Sequence, residues 1–293
     1  MNKEISSIPN TGRLICFGDL CIDIVAQTPE FGANVSDVTI DKLAIRVAGA
    51  AANCALAASA AGAPVEIISL VGNDVFAQVI LDRLRAAQVG TSLVRHANRQ
   101  TGMVISLVKQ GGERTLLSYR GANSQEYGAL AEDLLKPADY LYLSGYTLQD
   151  SASAETANAL KTRAAKAGAH CALDPTYLFA RNFQMQRLSG IHILTPNLEE
   201  AQLMSGRTSP EECSEALRDL GAEVVIVTLG RQGCYIHSGD CRLFVGSQTA
   251  MAADTTGAGD VFCGTLLARC LQGFDIVNAA RSANEAAGRA VCK

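Results

Sequence analysis

The run Asp254-Thr255-Thr256-Gly257-Ala258-Gly259-Asp260 leads straight into Val261-Phe262-Cys263-Gly264-Thr265-Leu266-Leu267-Ala268, and these residue types suit the handling of a transferred phosphoryl group. Gly257 and Gly259 lack the Cβ that obstructs tight curling. The apolar run after them predicts a buried helix, so backbone N–H groups converge at its first turn into a cradle for an anion. Asp260 lies inside that turn, where a carboxylate opposes a phosphate unless its work is to hold a hydroxyl beside one. Taken alone, a Gly-Ala-Gly-Asp turn could also be a tight loop capped by its aspartate.

Four further segments carry matching chemistry. In Ala48-Gly49-Ala50-Ala51-Ala52-Asn53 a glycine turn feeds a helix, and Asn53 offers a donor and an acceptor to ligand hydroxyls or, alternatively, a helix cap. Gly18-Asp19-Leu20-Cys21-Ile22-Asp23 follows the first strand, at the edge where open α/β sheets place ligands. Asp23 is a hydroxyl acceptor there, whereas Asp19 could equally finish a turn. In Thr195-Pro196-Asn197-Leu198-Glu199-Glu200, Asn197 and Glu200 share one helical face, which suits a hydrated Mg²⁺ beside phosphates and equally a capping box. Thr228-Leu229-Gly230-Arg231-Gln232-Gly233 closes a buried strand with two glycines, for a β-turn or for close approach by a nucleotide.

These segments need a scaffold, and from Arg13 onward short β-type runs alternate with helical stretches. That pattern predicts an α/β fold, a mostly parallel sheet covered by helices on both faces. Strands are expected over Leu14–Gly18, Val65–Val71, Tyr140–Leu143, His170–Leu173, His192–Thr195 and Val224–Thr228. Helices are expected over Ala50–Ala61, Val75–Ala87, Ala152–Ala167, Leu198–Ser205, Glu211–Leu220, Gly257–Leu271 and Ile276–Val291. Two stretches, Ile24–Val47 and Thr101–Arg120, read as strands with no helix between them. They are expected to pair as a small outlying sheet, a lid that excludes water from a phosphoryl-transfer site.

Composition bounds the partners. The 293 residues are 48% hydrophobic, enough for a large core, and carry a formal net charge of −4 with no block of like charges. The footprint of nucleic-acid binding is therefore missing, and a small-molecule partner is expected. Residues 1–12 read as a polar leader with no signal-peptide core, and apolar runs break well short of the ~18 residues of a membrane span. Ten cysteines scattered through apolar segments, with no Cys-x-x-Cys pair, suit buried thiols in a reducing cytoplasm. The four histidines, far apart in sequence, suggest no zinc site. A Gly-x-Gly-x-x-Gly fingerprint after the first strand and a Walker loop are both absent, so the late cradle at Gly257 must bind the phosphate.

With these pieces in order, the chain from about Arg13 to its end resembles the PfkB carbohydrate kinase family, whose fold is ribokinase-like. Two motifs carry the resemblance: the Gly-x-x-x-Asn segment ending at Asn53 and the Asp-Thr-Thr-Gly-Ala-Gly-Asp segment ending at Asp260. It implies a three-layer α/β/α kinase spanning 13–293, with a β lid from about 24–47 and 101–120 that in many relatives also forms a dimer contact. By resemblance, Asp260 is the catalytic base, and the amides of Gly257, Ala258 and Gly259 form the anion hole. Asp23, Gly49 and Asn53 hold the sugar. Asn197 and Glu200 organise Mg²⁺ and phosphates, Glu200 through water. Thr228, Gly230 and Gly233 belong to the ATP pocket, and Asn284 approaches the adenine. Asp254 and Thr256 match half of a K⁺ site; relatives complete it from a tail beyond the last helix, where this sequence stops at Lys293.

Several positions depart from ribokinases proper. Cys21 stands where an asparagine usually touches ribose, Ala50 replaces a lysine, and Ser144 lies near a position often held by glutamate. Ser118-Tyr119-Arg120-Gly121-Ala122-Asn123 is similar instead to fructokinase-like and ketodeoxygluconate-kinase-like relatives, in which the arginine enters the sugar site and meets a polar or acidic substituent. The expected activity is therefore ATP-dependent phosphorylation of a primary hydroxyl on a ketohexose-, pentose- or sugar-acid-like acceptor. The alternatives are a nucleoside kinase of adenosine or pseudouridine type, and a non-catalytic sugar-sensing protein of the same fold.

Overall fold

The computed structural model describes residues 12–28, 37, 39–40, 42–109, 114–184, 188–247 and 257–291. Asp254 and Thr256, residues 1–11 of the leader, and Lys293 lie outside them.

The main sheet has the strand order β13-β12-β11-β10-β9-β8-β1-β4-β5. Its members are β1 (Leu14–Phe17), β4 (Val65–Val71), β5 (Val94–His96), β8 (Tyr140–Ser144), β9 (His170–Asp174), β10 (Ile193–Leu194), β11 (Val224–Thr228), β12 (Cys234–Ser238) and β13 (Cys241–Val245). All neighbours from β11 to β5 pair in parallel; β12 and β13 add an antiparallel hairpin at one edge. A parallel sheet covered on both faces needs apolar side chains on both, and β1 shows it. Leu14 and Cys16 enter one hydrophobic cluster and Ile15 and Phe17 the other, all nearly or fully buried.

Helices α1 (Ala50–Ala60), α2 (Val75–Ala86), α7 (Ala258–Leu271) and α8 (Ile276–Val291) supply the first cluster. Helices α3 (Ser151–Ala167), α5 (Leu198–Ser205) and α6 (Pro210–Asp219) and the short α4 (Tyr177–Arg181) supply the second. The chain leaves β1 toward β4 on one side and later resumes at β8 on the other. A topological switch point therefore lies beyond the carboxyl ends of β1 and β8, where such sheets open a crevice.

The separate small sheet expected from the sequence is present, in the order β3-β2-β6-β7: β2 (Cys21–Thr28), β3 (Lys42–Ala48), β6 (Gly102–Lys109) and β7 (Arg114–Tyr119). Its register aligns Ile45, Ile24, Ile105 and Leu117 in one row, and Arg46, Asp23, Val104 and Ser118 in the next. Side chains alternate between faces, so Asp23 and the isoleucine row point oppositely.

Several features differ from the sequence expectation, β5 and α4 among them, neither of which was expected. The strand expected over His192–Thr195 contracts to Ile193–Leu194, and the β12–β13 hairpin was not foreseen. Its two-residue turn, Gly239-Asp240, between the paired Ser238 and Cys241, is a recognisable hairpin signal with Gly239 at φ 55°.

The site depends most on how α1 meets α7. Alanine-rich α1 presents almost no side-chain bulk, and at the crossing Gly264 lies so near that an added Cβ would stand 2.2 Å from the Cys54 carbonyl oxygen. Gly264→Ala must separate the two backbones and is expected to destabilise the fold by about 1–3 kcal/mol. In chemical denaturation its midpoint should fall, whereas Gly259→Ala, whose Cβ would meet nothing within 4 Å, should show no loss.

Candidate active site

Asn53 lies one turn into α1 and Asp260 in the first turn of α7, and the close crossing brings them together. Asn53 Nδ2 donates to Asp260 Oδ2 at 2.9 Å across 207 positions of sequence. Gly257 precedes α7 in the left-handed region, φ 75°, a conformation that side chains with a Cβ resist. The first helical hydrogen bond runs from Val261 N–H to the Gly257 carbonyl. The N–H groups of Ala258, Gly259 and Asp260 therefore stand ahead of the helix ladder, where the helix dipole favours an anion. The space over Gly259 is open.

Asp260 is drawn out of water, and that burial pushes its carboxyl up to about 7, opposed by the Asn53 hydrogen bond and reinforced by the charge of Glu200. Glu200 is buried and also raised, chiefly by desolvation. Asp174, at the end of β9, is held well above the carboxylate range by burial and then by the charges of Asp260 and Glu200. Tyr142 donates to it at 3.3 Å. Three carboxylates thus crowd the carboxyl edge of the sheet.

The switch-point crevice holds the second group of charges. Gly49 enters α1 at φ 109°, and an added Cβ there would stand 2.2 Å from the Asp19 carbonyl oxygen, so the glycine keeps the β1–β2 loop against α1. Asp19 accepts from Arg120 at 3.1 Å, and Arg120 Nε stands 2.8 Å from Asp150 Oδ2. Burial pushes Asp19 up to about 6 against the pull of Arg120. Cys21 lies among these groups. Its thiol is pushed up to about 12 by burial and then by the charges of Asp19, Asp23 and Asp260. Asp23 itself accepts from Ser106 Oγ at 2.7 Å.

The remaining expected residues fall along the other half of the sheet edge. Asn197 and Glu200 form a reciprocal capping box, each backbone N–H donating to the other's side chain at 2.9 Å. That was one of the two readings left open, and it leaves Glu200 Oε1 outside the box. Thr228 ends β11 beside Asn197, and Gly230 opens onto space. Gly233 is needed for packing, since an added Cβ would meet the Val245 carbonyl at 2.0 Å. Asn284 is buried and donates to that same carbonyl at 3.2 Å, tying α8 to the hairpin.

Among the described residues no group of three or more His, Cys, Asp or Glu is arranged to hold a metal ion directly. The crowded, uncompensated carboxylates at Asp174, Glu200 and Asp260 fit instead a hydrated cation shared with phosphates.

Sequence reasoning passed over Asp150, Tyr146, Asp174 and Thr176. The signal for Asp174 was its place at a strand end. Thr176, buried at φ 63° with Oγ1 unpartnered, left no signal in the sequence. A cavity of about 430 Å³ lies elsewhere, beneath α3 and α4 on the opposite face of the sheet from Asn53 and Asp260, lined by Leu148, Leu178 and Phe183 among others. His170 and His192, distant in sequence, stack with ring centroids 4.3 Å apart. The nine described cysteines are all unbridged, and no described helix is long and apolar enough to cross a membrane.

Residues 11–293 match the model of the pfkB family carbohydrate kinases. The 2-dehydro-3-deoxygluconokinase of Thermoproteus tenax is 31% identical over 274 residues, 89% of this chain and 83% of that protein. An ATP-dependent 6-phosphofructokinase of Thermoanaerobacterium thermosaccharolyticum is 24% identical over 272 residues, 90% of this chain and 83% of that protein. The structure of Arabidopsis thaliana ribokinase complexed with ribose and ATP superposes with a TM-score of 0.81 at 21% identity, covering 96% of this chain and 93% of that one.

The folded protein binds the Asp260 proton more tightly than the unfolded chain does. Its contribution to stability is therefore complete below the ordinary value of 3.8 and is lost as pH climbs through about 7. Asp260→Asn removes this titration. Its denaturation midpoint is expected to gain on wild type as pH rises from about 4 to about 7 and to hold that gain above.

Proposed function

The chain belongs to the pfkB family of carbohydrate kinases, and from that premise we propose that it transfers phosphate from ATP to a primary hydroxyl of a sugar or sugar derivative. The observation that carries this reading is the half-buried Asp260, hydrogen-bonded by Asn53 and set beside the open first turn of α7. Asp260 takes the proton of the attacking hydroxyl, and a group titrating at about 7 is suited to do so near neutral pH. The N–H groups of the Gly257–Gly259 turn receive charge on the phosphoryl oxygens. Asn53 keeps the carboxylate aimed.

Mg²⁺, when bound, neutralises phosphate charge, with Glu200 and Asp174 placed to reach it through water; Thr228 and Gly230 border the nucleotide. A K⁺ at Asp254 and Thr256 lies outside the described residues. The β2-β3-β6-β7 sheet brings Asp23 over the cleft and closes on the acceptor as a lid, excluding water. Its outward face exposes Leu43, Ile45, Leu117 and Tyr119, a patch suited to the same face of a second copy.

Asp260→Asn is expected to lower turnover by a factor on the order of 10²–10⁴ while ATP binding persists. Wild-type kcat should rise with pH through about 7. An ADP-release assay across sugars and nucleosides tests the activity: a nucleoside as best acceptor would favour the nucleoside-kinase reading, and no ADP release with any acceptor would favour a sensing role. Separately, Ile45→Glu combined with Leu117→Glu is expected to yield a folded monomer by light scattering where the wild type is a dimer.

A further inference from the structure

The structure assigns this kinase an uncharged acceptor, because the arginine beside the acceptor end of the cleft is already held between two carboxylates of its own chain. This rests on the kinase reading above and narrows its substrate. The two relatives described above are named for a sugar acid and a sugar phosphate, so the inference separates this chain from both.

Arg120 is the residue that would have to receive an acidic substituent. Its guanidinium donates to the Tyr146 carbonyl at 2.8 Å, to Asp19 Oδ1 at 3.1 Å and to the Asn123 carbonyl at 3.3 Å. Its Nε faces Asp150 Oδ2 at 2.8 Å, a contact of charges not aligned as a hydrogen bond. Most of the five donors of the guanidinium are thereby engaged. Nor is the arginine poised on a loose loop. Asn123, three residues on, accepts from the Leu20 N–H at 3.1 Å and donates to the Leu20 carbonyl at 2.8 Å, fastening the Arg120 segment to the loop that carries Asp19.

Asp150 shows the pairing from the other side. It occupies the N-cap position of α3, yet its side chain makes no capping hydrogen bond. A capping aspartate stabilises a helix start, and here the carboxylate turns to Arg120 instead. Around the same cleft stand Asp23, Asp174, Glu200 and Asp260. On the Asp23 face of the small sheet the cations Arg46, directly across from Asp23 in the register, and Lys42, across from Gln27, are both exposed. The acids around Arg120 outnumber it, Asp19 and Asp150 holding its charge directly, while burial raises Asp174 and Asp260 toward their neutral forms. A second anion on the acceptor would displace Asp19 or Asp150 from Arg120 or enter unpaired, and like charges brought together repel. Hydroxyl groups meet no such penalty, since carboxylates accept from them directly.

The test compares kcat/KM by ADP release for neutral acceptors and for charged counterparts of similar skeleton: fructose with fructose 6-phosphate, and neutral aldoses, ketoses and nucleosides with sugar acids including 2-dehydro-3-deoxygluconate. The best acceptor is expected to be neutral, favoured over charged counterparts on the order of 100-fold. Asp150→Asn, which removes one of the two partners without removing a helix cap, should raise the charged-to-neutral ratio about tenfold, and Asp150→Glu should restore it. A charged best acceptor, or an unchanged ratio in Asp150→Asn, overturns this inference and leaves the kinase reading standing. Absence of ADP release with every acceptor overturns both.

Discussion

The hydrogen bond between Asn53 and Asp260 depends on two helices lying closer than most side chains permit. Seven of the eleven residues of helix α1 are alanine, and α7 carries glycine where the Cys54 carbonyl approaches. With larger residues at that crossing the interaxial distance grows, and an asparagine amide no longer spans the gap to the carboxylate. Small residues here are therefore what lets the Asn53–Asp260 hydrogen bond form. The same reasoning covers Gly49, whose missing side chain lets the β1–β2 loop, with Asp19 and Cys21, lie against the start of α1.

Close packing also sets the electrostatics. Every carboxylate brought to the cleft loses water, and burial is the largest cause of the upward displacement at Asp19, Asp174, Glu200 and Asp260. Mutual repulsion adds to it where the groups see one another. Such a cluster destabilises the protein in the absence of cations and hydroxyls, and that cost is characteristic of a site arranged for charge that arrives with its ligands. Arg120 is the exception that is already compensated, held by its own chain.

Much of the scaffold was legible beforehand, for reasons that differ by element. Val65–Val71 and Val224–Thr228 were bounded correctly because buried apolar runs ended at turn residues, and Leu198–Ser205 because it lies between the cap Asn197 and Gly206. The outlying sheet was legible because two strand-like stretches had no helix between them. The β12–β13 hairpin was missed, since edge strands with one exposed face carry a weaker apolar pattern, here Cys241-Arg242-Leu243-Phe244-Val245. At Asn197 and Glu200 the spacing supported two readings equally, and the structure realises the capping box.

What the sequence determined by itself was the glycine turn and helix start at Gly257–Asp260, because such a feature needs only a local run: glycines, a helix start and a carboxylate within one turn. Local geometry follows from neighbouring residues, so Gly257–Asp260 could be read directly. What only the tertiary structure decided was the company each group keeps. Asp19, Arg120 and Asp150 are separated by 101 and 30 positions, and no periodicity relates them. Their pairing arises because the strand order turns back beside β1, bringing the ends of β1 and β8 and the turn after β7 to one crevice, where the charges of side chains must balance in space and not along the chain.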